Sequence, residues 1–394
     1  KGIHNPKIGP TVMSGRITDL DVNPDNPSEM IVAYASGGLW YSNNNGTTFS
    51  PISDELPTLT IGDFAVNWKS KTIWLGTGEA NSSRSSYAGY GLFKSTDFGK
   101  KWEYVNLSES HHISRVILDE ENANRVWVAV IGHLYTQNAE RGVFLTEDGG
   151  STWKKTLFVN DSTGAIDLCR IPGTKNSLLA ALWQRDRKAW NFEEGGSGSG
   201  IFRSDDGGKS WKELSSLESG FPKGPHVGRI GLAAFNEKIM YALVDDQSAK
   251  PENGSKKNNQ LTEAWMRKLS IDEFQKTPDS VLNSYLKQVG FPKKYSVTQL
   301  KNEVKSGKLT PEKIADYTDN ANARLFNTNA TGAALYRSND GGTTWKKTHS
   351  EALPLYFTYG YYFGNVRVSS SNPDEVYAVG FHVMRSTNGG KSFQ

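Results

Sequence analysis

Cysteine is nearly absent from this chain of 394 residues, because Cys169 is the only one. A single thiol excludes an internal disulfide framework. The apolar stretch from Ala165 to Ile171 around it predicts a buried strand thiol rather than a nucleophile. The sequence also contains no metal-binding motif and no cofactor motif, so neither a metal nor a cofactor is predicted.

Long apolar runs and a strong excess of charge are missing as well. No run approaches the ~20 residues that a bilayer-spanning helix needs, so no membrane span is predicted. The net charge of +3, with 22% charged residues, gives no electrostatic footprint for nucleic acid. No signal peptide is present, but Lys1–Pro6 fits a start left by processing. We therefore expect an extracellular, cell-surface or periplasmic protein whose signal peptide has been removed.

The chain does contain an internal repeat. The pattern Ser/Thr-x-Asp/Asn-x-Gly-x-x-Trp/Phe recurs at intervals of roughly fifty residues, with one much longer gap. A period of this length indicates stacked or radially arranged units. The copies start at Ser42, Ser95, Thr146, Ser204, Ser338 and Ser386.

Each copy has the composition of a tight turn between two strands. Aromatic and β-branched residues flank it, the Asp or Asn accepts backbone hydrogen bonds, and the Gly adopts a left-handed conformation at little cost. Two further strand candidates precede each copy, so each unit has four strands. The predicted fold is all-β, a β-propeller of four-stranded blades over residues 1–394. Six blades are countable. The stop inside the last predicted strand leaves open closure by the N-terminal segment or further blades in a longer parent.

The long gap marks an insertion between the second and third strands of the fifth blade, over residues 247–332. Its first part, Ser248–Gln260, is polar and predicts a mobile linker. Helical signals follow: capping boxes at Ser270 and Ser296, and Pro after a Thr N-cap at Thr277 and Thr310. Three or four short helices are predicted.

The repeat resembles that of the Asp-box (bacterial neuraminidase repeat) β-propellers. The resemblance implies that the acid or amide of each copy is a structural residue on the outer rim, not a catalytic one. These residues are Asn44, Asp97, Asp148, Asp206, Asp340 and Asn388.

A finer resemblance is to xyloglucanase-type glycoside hydrolases and sortilin-like proteins. It rests on Ala35-Ser-Gly-Gly-Leu-Trp-Tyr-Ser42, Gly76-Thr-Gly-Glu-Ala-Asn81 and Glu140-Arg-Gly-Val-Phe-Leu-Thr146. The resemblance implies a polysaccharide hydrolase or a protein- or glycan-binding propeller. Xyloglucanases carry an Asp where this chain has Ala35, which counts against that particular mechanism.

Function is expected on one face. Antiparallel alternation places the 2–3 loops of all blades at one end and the Asp boxes with the 1–2 turns at the other. The 2–3 loops are long and rich in functional groups, and the loop of the fourth blade ends in a glycine-rich stretch that predicts flexibility. The catalytic candidates are the carboxylates Glu79, Glu140 and Asp186. The predicted ligand-binding residues are Arg84, Tyr87, His133, Tyr135, Arg141, Arg187 and Trp190.

Three functions remain open from the sequence. The first is hydrolysis of a polysaccharide, and the second is non-catalytic binding of a glycan, a glycoprotein or a protein partner on the loop face. The third is a sialidase, suggested by Arg170-Ile-Pro172, although this stretch lies where other blades have a strand that enters a 1–2 turn.

Overall fold

The computed structural model describes residues 15–250, 261, 263–292, 294–317, 330–355 and 359–394. Two compact units divide the chain: one comprises the chain up to Ser248 and from Ala330 onward, and the other runs Ala249–Asn329. Most of the predicted polar linker, and residues 356–358 before the last blade, lie outside the described residues.

The first unit contains six antiparallel sheets of three or four strands, which follow one another along the chain, and one two-stranded hairpin. The first three sheets are complete four-stranded blades. Blade 1 has β1 (Ile17–Val22), β2 (Met30–Tyr34), β3 (Gly38–Ser42) and β4 (Ser50–Pro51). Blade 2 has β5 (Ile61–Asn67), β6 (Thr72–Thr77), β7 (Leu92–Ser95) and β8 (Glu103–Tyr104). Blade 3 has β9 (Ile113–Leu118), β10 (Val126–Val130), β11 (Gly142–Thr146) and β12 (Lys154–Leu157).

The remaining sheets continue the pattern. Blade 4 has β13 (Thr163–Arg170), β14 (Leu178–Gln184), β17 (Gly200–Ser204) and β18 (Lys212–Glu213), with a small hairpin, β15 (Asp186–Arg187) and β16 (Phe192–Glu193), in its 2–3 loop. Blade 5 has β19 (Val227–Ala234), β20 (Met240–Ala249), β21 (Ala330–Ser338) and β22 (Lys346–Lys347). Blade 6 has β23 (Asn365–Val368), β24 (Val376–Val379) and β25 (Val383–Ser386), and Gln394 pairs with Arg385 beside it.

From blade 2 to blade 6, the first strand of each sheet packs against the first strand of the sheet before it. This arrangement is a six-bladed β-propeller, which confirms the predicted fold. Apolar side chains between neighbouring sheets form its core, including the fully buried Trp74, Trp127 and Trp183.

The Asp boxes are hydrogen-bonded turns. In blade 3, Thr146 Oγ1 donates to Asp148 Oδ1 at 2.7 Å, and the backbone N–H groups of Gly150 and Thr152 donate to Thr146 Oγ1 and Asp148 Oδ1 at 3.0 and 2.9 Å. Hydrogen bonds from Thr152 lower the pKa of Asp148 to about 2. Trp153 closes the box and donates from Nε1 to the carbonyl of Val105 in blade 2 at 2.9 Å. The box therefore ties neighbouring blades together.

The boxes lie beside the 1–2 turns. In blade 3 the N–H of Gly149 donates to the carbonyl of Asn124, and in blade 4 that of Gly207 donates to Asn176, both at 2.9 Å. The other four blades repeat this contact. Because the strands of each blade alternate in direction, the 2–3 loops emerge at the opposite end of the ring.

Charged side chains of the first strands meet along the axis. Arg115 of β9 donates from Nη1 to Asp63 Oδ1 at 3.1 Å and from Nε to Asp167 Oδ1 at 3.0 Å. Asp63 also accepts from Val116 N at 2.7 Å, and Asp167 accepts from Leu232 N at 2.9 Å. These bonds join blades 2, 3, 4 and 5. Burial opposes the charge of Arg115, but Asp167 and Asp63 outweigh it and raise its pKa.

A cavity of about 680 Å³ opens next to this cluster at the Asp-box end. It is lined by the first strands and 1–2 turns of blades 1 to 3, including Asp19, Asp21, Asp63, Arg115 and Glu120. Burial raises the pKa of Asp19 and, most strongly, of Asp63. The cavity is a polar part of the scaffold at the end away from the 2–3 loops.

The second unit is helical. Its helices are α1 (Glu263–Lys268), α2 (Ile271–Lys276), α3 (Asp279–Gln288), α4 (Val297–Lys305) and α5 (Pro311–Tyr317). Both predicted capping boxes form, at Ser270 and Ser296. The prediction for α3 was wrong by one residue, because the N-cap is Pro278 and no side chain caps this helix. The sequence analysis also missed α1.

The axial cluster predicts a large loss of stability when its cation is removed. Arg115→Met leaves Asp63 and Asp167 buried without their cation, and we expect it to lower the free energy of unfolding by about 3–5 kcal/mol. Lys175→Met is the control, since Lys175 pairs with Glu121 at 3.0 Å on the surface, where about 1 kcal/mol or less is expected. Urea unfolding measures both variants, and equal losses contradict the prediction.

Candidate functional site

Glu79, the first predicted catalytic residue, is buried and fully engaged. Its carboxylate accepts two hydrogen bonds from Arg16, one of them from Nε at 2.8 Å. Asn81 Nδ2, Ser86 Oγ and Tyr362 Oη donate to the same carboxylate at 3.0, 3.3 and 3.1 Å. A carboxylate with this many partners is held in place and has no lone pair directed at a ligand.

The bonds around Glu79 span the loop end of the ring. Asn81 Oδ1 accepts a hydrogen bond from Arg229 Nη1 of blade 5 at 2.8 Å. The same nitrogen donates to the carbonyl of Tyr361, before blade 6, at 3.0 Å. His112, before blade 3, donates from Nδ1 to the carbonyl of Glu79 at 2.8 Å. Glu79 therefore belongs to a cross-link between blades.

Two of the loop arginines hold backbone rather than carboxylates. Arg141 donates to the carbonyls of His133, Thr136 and Ser162 at 2.9, 3.0 and 3.3 Å. Arg185 donates to the carbonyls of Leu134 and His133. Burial lowers the pKa of Arg141 to about 10, and burial with the nearby Arg141 lowers that of Arg185 well below its usual value. These buried cations fix the 2–3 loop of blade 3.

Arg187 lies on the inner side of the β15–β16 hairpin. Its guanidinium is 4.2 Å from the ring centroid of Phe192 and 5.7 Å from that of Tyr361. The hairpin places Arg187 opposite Phe192, so that both side chains share one face. Among the described residues, Arg187 Nε has no hydrogen-bond partner although it is buried. This cation is therefore available to act on a neighbouring group.

Two carboxyl groups with raised pKa values lie on the loop side of blades 4 and 5: Glu194 near Arg187, and Asp245 near Arg229. Glu194 follows the hairpin and Asp245 ends the inner part of β20. Burial, then the charge of Asp245, raise the pKa of Glu194 to about 8, against the opposing effect of Arg187. Burial raises the pKa of Asp245 to about 7, although Gln247 donates to it at 2.6 Å. We refer to Glu194 and Asp245 as the carboxyl pair.

The backbone packs tightly around the carboxyl pair. A Cβ on Gly360 would lie 2.0 Å from Asp245 Cγ, so only glycine fits this position. Asp245 itself is 1% exposed, whereas Glu194 is partly exposed. Glu194 is thus the member of the pair that a ligand can reach.

The glycine-rich stretch that follows Glu194 is held by hydrogen bonds, whereas the sequence predicted a flexible segment. Gly196 N–H donates to Val227 O at 3.1 Å, and Gly198 N–H donates to Gln184 Oε1 at 2.7 Å. A Cβ on Gly196 would lie 2.4 Å from Gln184 Cδ. The glycines permit close packing that fixes the end of the loop carrying Glu194.

Three predicted aromatic residues are exposed on the 2–3 loops. Trp190 is 85% exposed, Tyr87 63% and Tyr135 43%. Tyr135 Oη donates to the carbonyl of Arg84 at 3.2 Å, which joins the loops of blades 2 and 3. The side chain of Arg84 is exposed. Burial raises the pKa of Tyr361, and the charge of Arg84 opposes this only weakly.

The remaining candidates are spread around this face. Asp186 is partly exposed and pairs with Lys188 at 2.9 Å on the blade 4 hairpin. Glu140 is partly buried in the loop of blade 3. His133 stacks on His111, with ring centroids 3.7 Å apart. The sequence candidates therefore share an end of the ring without forming one cluster.

The stretch Arg170-Ile-Pro172 lies at the other end. Arg170 closes β13 at a 1–2 turn, where it pairs with Glu120 at 3.4 Å and donates to Lys175 O. It is separated from the 2–3 loops by the length of the blade. Cys169 beside it is partly buried in β13, and burial raises its pKa to about 12, so the thiol stays protonated.

Comparison with known proteins supports the fold. A family model of the BNR/Asp-box repeat matches residues 202–213. The chain is an Asp-box β-propeller. No curated protein sequence shows significant similarity to the chain. No helix among the described residues is both long and apolar enough to pass through a bilayer.

Two solved structures share the fold of this Asp-box β-propeller over 95% of its length. They are the GH74 enzyme of Niastella koreensis, with a TM-score of 0.53 and 15% identity, and the GH74 xyloglucanase of Xanthomonas campestris, with a TM-score of 0.53 and 13% identity. The chain spans only 46% and 45% of these two proteins.

The sequence analysis missed the carboxyl pair as a unit. Glu194 and Asp245 lie in segments that the sequence analysis assigned to 2–3 loops, but these loops contain many carboxylates. Their special property depends on burial by Tyr361 and on the close approach of Gly360, which come from a distant part of the chain. The one signal in the sequence for this close packing was Gly360, a glycine within an aromatic segment.

The pair predicts a pH-dependent stability. Glu194 has a pKa near 4.5 when unfolded and about 8 when folded, so the folded state binds a proton that the unfolded state releases between these values. The free energy of unfolding therefore falls as the pH rises through this window. Glu194→Gln copies the protonated form, and we expect it to reduce the fall between pH 5 and 8.5 by about 1 kcal/mol or more.

Urea unfolding at the two pH values measures this difference. Glu193→Gln is the matched control, because Glu193 is the exposed neighbour of Glu194 and its substitution should leave the wild-type pH dependence unchanged. An identical pH dependence in Glu194→Gln and wild type excludes a raised pKa at Glu194.

Proposed function

We propose that this propeller is a carbohydrate-active protein of the polysaccharide hydrolase-like kind that works outside the cytoplasm, with its site on the face of the 2–3 loops. One observation carries the proposal: a carboxyl group that is protonated at neutral pH, Glu194, lies partly exposed beside Arg187 and near exposed aromatic residues. Glycoside hydrolysis requires such a proton donor.

Glu194 has the properties of the general acid. With a pKa of about 8 it holds its proton at neutral pH and can give it to the leaving glycosidic oxygen. Asp245 is a positioning residue in this scheme, because it is buried and its charge keeps the pKa of Glu194 high. The positive charge of Arg187 stabilises the Glu194 carboxylate that forms when the proton leaves.

The second carboxylate of the reaction is assigned to Asp186. It lies on the hairpin that leads into Glu194, where it pairs with Lys188 at 2.9 Å. A carboxylate in such an ion pair can activate a water or attack the sugar. Glu79 is excluded from this role in the proposal, because its lone pairs are occupied by Arg16 and three other donors.

The exposed aromatic side chains provide the binding surface. Flat rings of Trp190, Tyr87 and Tyr135 offer apolar faces and polar edges, which suits the faces of sugar rings. They come from three blades, so they suit a chain of sugars rather than a single one. One of the two structural neighbours is a xyloglucanase, which is consistent with a polysaccharide ligand for a propeller of this fold.

Non-catalytic binding of a glycan or a protein partner is the second candidate. It is favoured by the cross-linking role of Glu79 and by Ala35, which stands where the xyloglucanase resemblance implies a catalytic Asp. The same exposed aromatic residues suit such a binding surface, so only activity separates the two candidates.

A screen against plant and microbial polysaccharides, with release of reducing ends as the readout, tests the enzyme. We expect Glu194→Gln to lower kcat by about 100-fold or more, because a general acid typically contributes 10²–10⁴-fold. Glu193→Gln should retain full activity. Wild-type activity should also decline above about pH 8, where Glu194 loses its proton. Hydrolysis that survives Glu194→Gln rules out this assignment.

Affinity electrophoresis on the same polysaccharides tests the binding surface. Trp190→Ala and Tyr135→Ala should each weaken binding several-fold, since a stacked ring contributes of the order of 1 kcal/mol. Tyr104→Ala is the control: Tyr104 is also 43% exposed but lies on the outermost strand of blade 2. Binding that depends on Trp190 without any hydrolysis favours the non-catalytic candidate.

A further inference from the structure

Three side chains with metal-binding atoms meet on the loop face, outside the carboxyl pair. Glu109 and His111 come from the connection between blades 2 and 3, and His133 comes from the 2–3 loop of blade 3. One ligand atom from each lies within 4.8 Å of the others. His133 Nε2 is 3.9 Å from Glu109 Oε2. We call these three residues the histidine cluster.

One ring nitrogen of His133 has a hydrogen-bond partner and the other has none among the described residues. Its Nδ1 lies 3.0 Å from Thr136 Oγ1, which can accept the ring proton and leave the lone pair on Nε2. Nε2 is buried, and among the described residues it has no hydrogen-bond partner. A buried nitrogen without a partner costs free energy unless something binds it. Glu109 Oε2 lies 3.9 Å from this nitrogen.

His111 is also prepared to act as a ligand. Its ring stacks on that of His133, with the ring centroids 3.7 Å apart, so both imidazoles lie at the cluster. The carbonyl of His111 accepts a hydrogen bond from Gly89 N at 2.6 Å, which anchors its backbone to the loop of blade 2.

The segment that carries the cluster is strained. Asn106, Leu107 and His111 have φ angles of 85°, 65° and 53°, in a region that non-glycine residues rarely adopt. Each such residue costs of the order of 1–3 kcal/mol and persists only where its surroundings hold it. The strain turns Glu109 and His111 toward the loop of blade 3, where Arg141 and Arg185 fix the carbonyl of His133.

We propose that Glu109, His111 and His133 bind a late first-row divalent cation, with Zn²⁺ as the best match. Two imidazoles and one carboxylate are a ligand set that Zn²⁺ accepts, and three protein ligands leave a position open for water or a ligand oxygen. Ligand atoms of one Zn²⁺ lie roughly 3–3.5 Å apart, because each bond is about 2.0–2.2 Å. To reach this spacing, the stacked rings of His111 and His133 must turn toward one ion, and the side chain of Glu109, which is 66% exposed, must move closer.

The proposal does not depend on hydrolysis at Glu194. No sequence pattern points to this site, since His111 and His133 lie in different connections of the propeller and do not form a short motif. Thr136 enters as a positioning residue, because its hydroxyl sets the orientation of the His133 ring.

Calorimetric titration of the tag-free, chelator-treated chain with Zn²⁺ tests the site, and Co²⁺ absorption reports the coordination. We expect one equivalent of Zn²⁺ to bind and d–d bands to appear with Co²⁺. His133→Ala and His111→Gly should each weaken Zn²⁺ binding by at least about 10-fold, and Thr136→Val by about 10-fold. Glycine is chosen at position 111 because it tolerates the positive φ. His382→Ala, at an exposed histidine of blade 6, is the control and should bind as wild type does.

Circular dichroism of the metal-free variants checks that they are folded. If a histidine variant fails to fold, Glu109→Gln carries the test, because its side chain is exposed and its substitution should lower Zn²⁺ affinity without affecting the fold. Absence of Zn²⁺ binding by the wild-type chain overturns the proposal. So does unchanged Zn²⁺ affinity in folded His133→Ala and Glu109→Gln variants.

Discussion

The ion pairs of Arg115 at the axis are the interaction on which the rest of the ring depends. One guanidinium binds Asp63 of blade 2 and Asp167 of blade 4, and each carboxylate also caps a backbone N–H of the blade that follows it. In blade 3 a bulge between Ile113 and Arg115 shifts the register just before this position. Radial packing of apolar sheets alone does not set the angle between blades. These directional bonds between first strands add that constraint.

The loop end of the ring uses the same principle with different residues. Glu79 binds Arg16 and Tyr362, and its neighbour Asn81 binds Arg229, so the first, second, fifth and sixth blades are connected there. A carboxylate in a 2–3 loop therefore joins blades. The proposed functions are assigned to groups outside this network, the carboxyl pair and the histidine cluster.

The repeat made the fold predictable from the sequence, whereas the site was predictable only as a face. Asp-box spacing sets the blade register, and antiparallel alternation then assigns every loop to an end of the ring. Which loop carboxylate is reactive depends on burial and on neighbours distant in sequence. Glu79 and Glu194 both lie in 2–3 loops, yet one accepts hydrogen bonds from Arg16 and the other is near the charge of Asp245. Both partners come from distant parts of the chain, so the local sequence does not distinguish the two carboxylates.

Charge balance explains why Glu194 keeps its proton beside a cation. Arg187 favours ionisation of Glu194, but desolvation and the charge of Asp245 oppose it and are stronger. The guanidinium of Arg187 also lies over the rings of Phe192 and Tyr361, 4.2 and 5.7 Å from their centroids. When Glu194 loses its proton, the new carboxylate lies near the positive charge of Arg187, and the two charges then attract each other. In a buried ion pair both charges are present before any ligand binds, so no attraction is gained during the reaction. In the proposed function, this arrangement assists the transfer of a proton from Glu194 to a bound ligand.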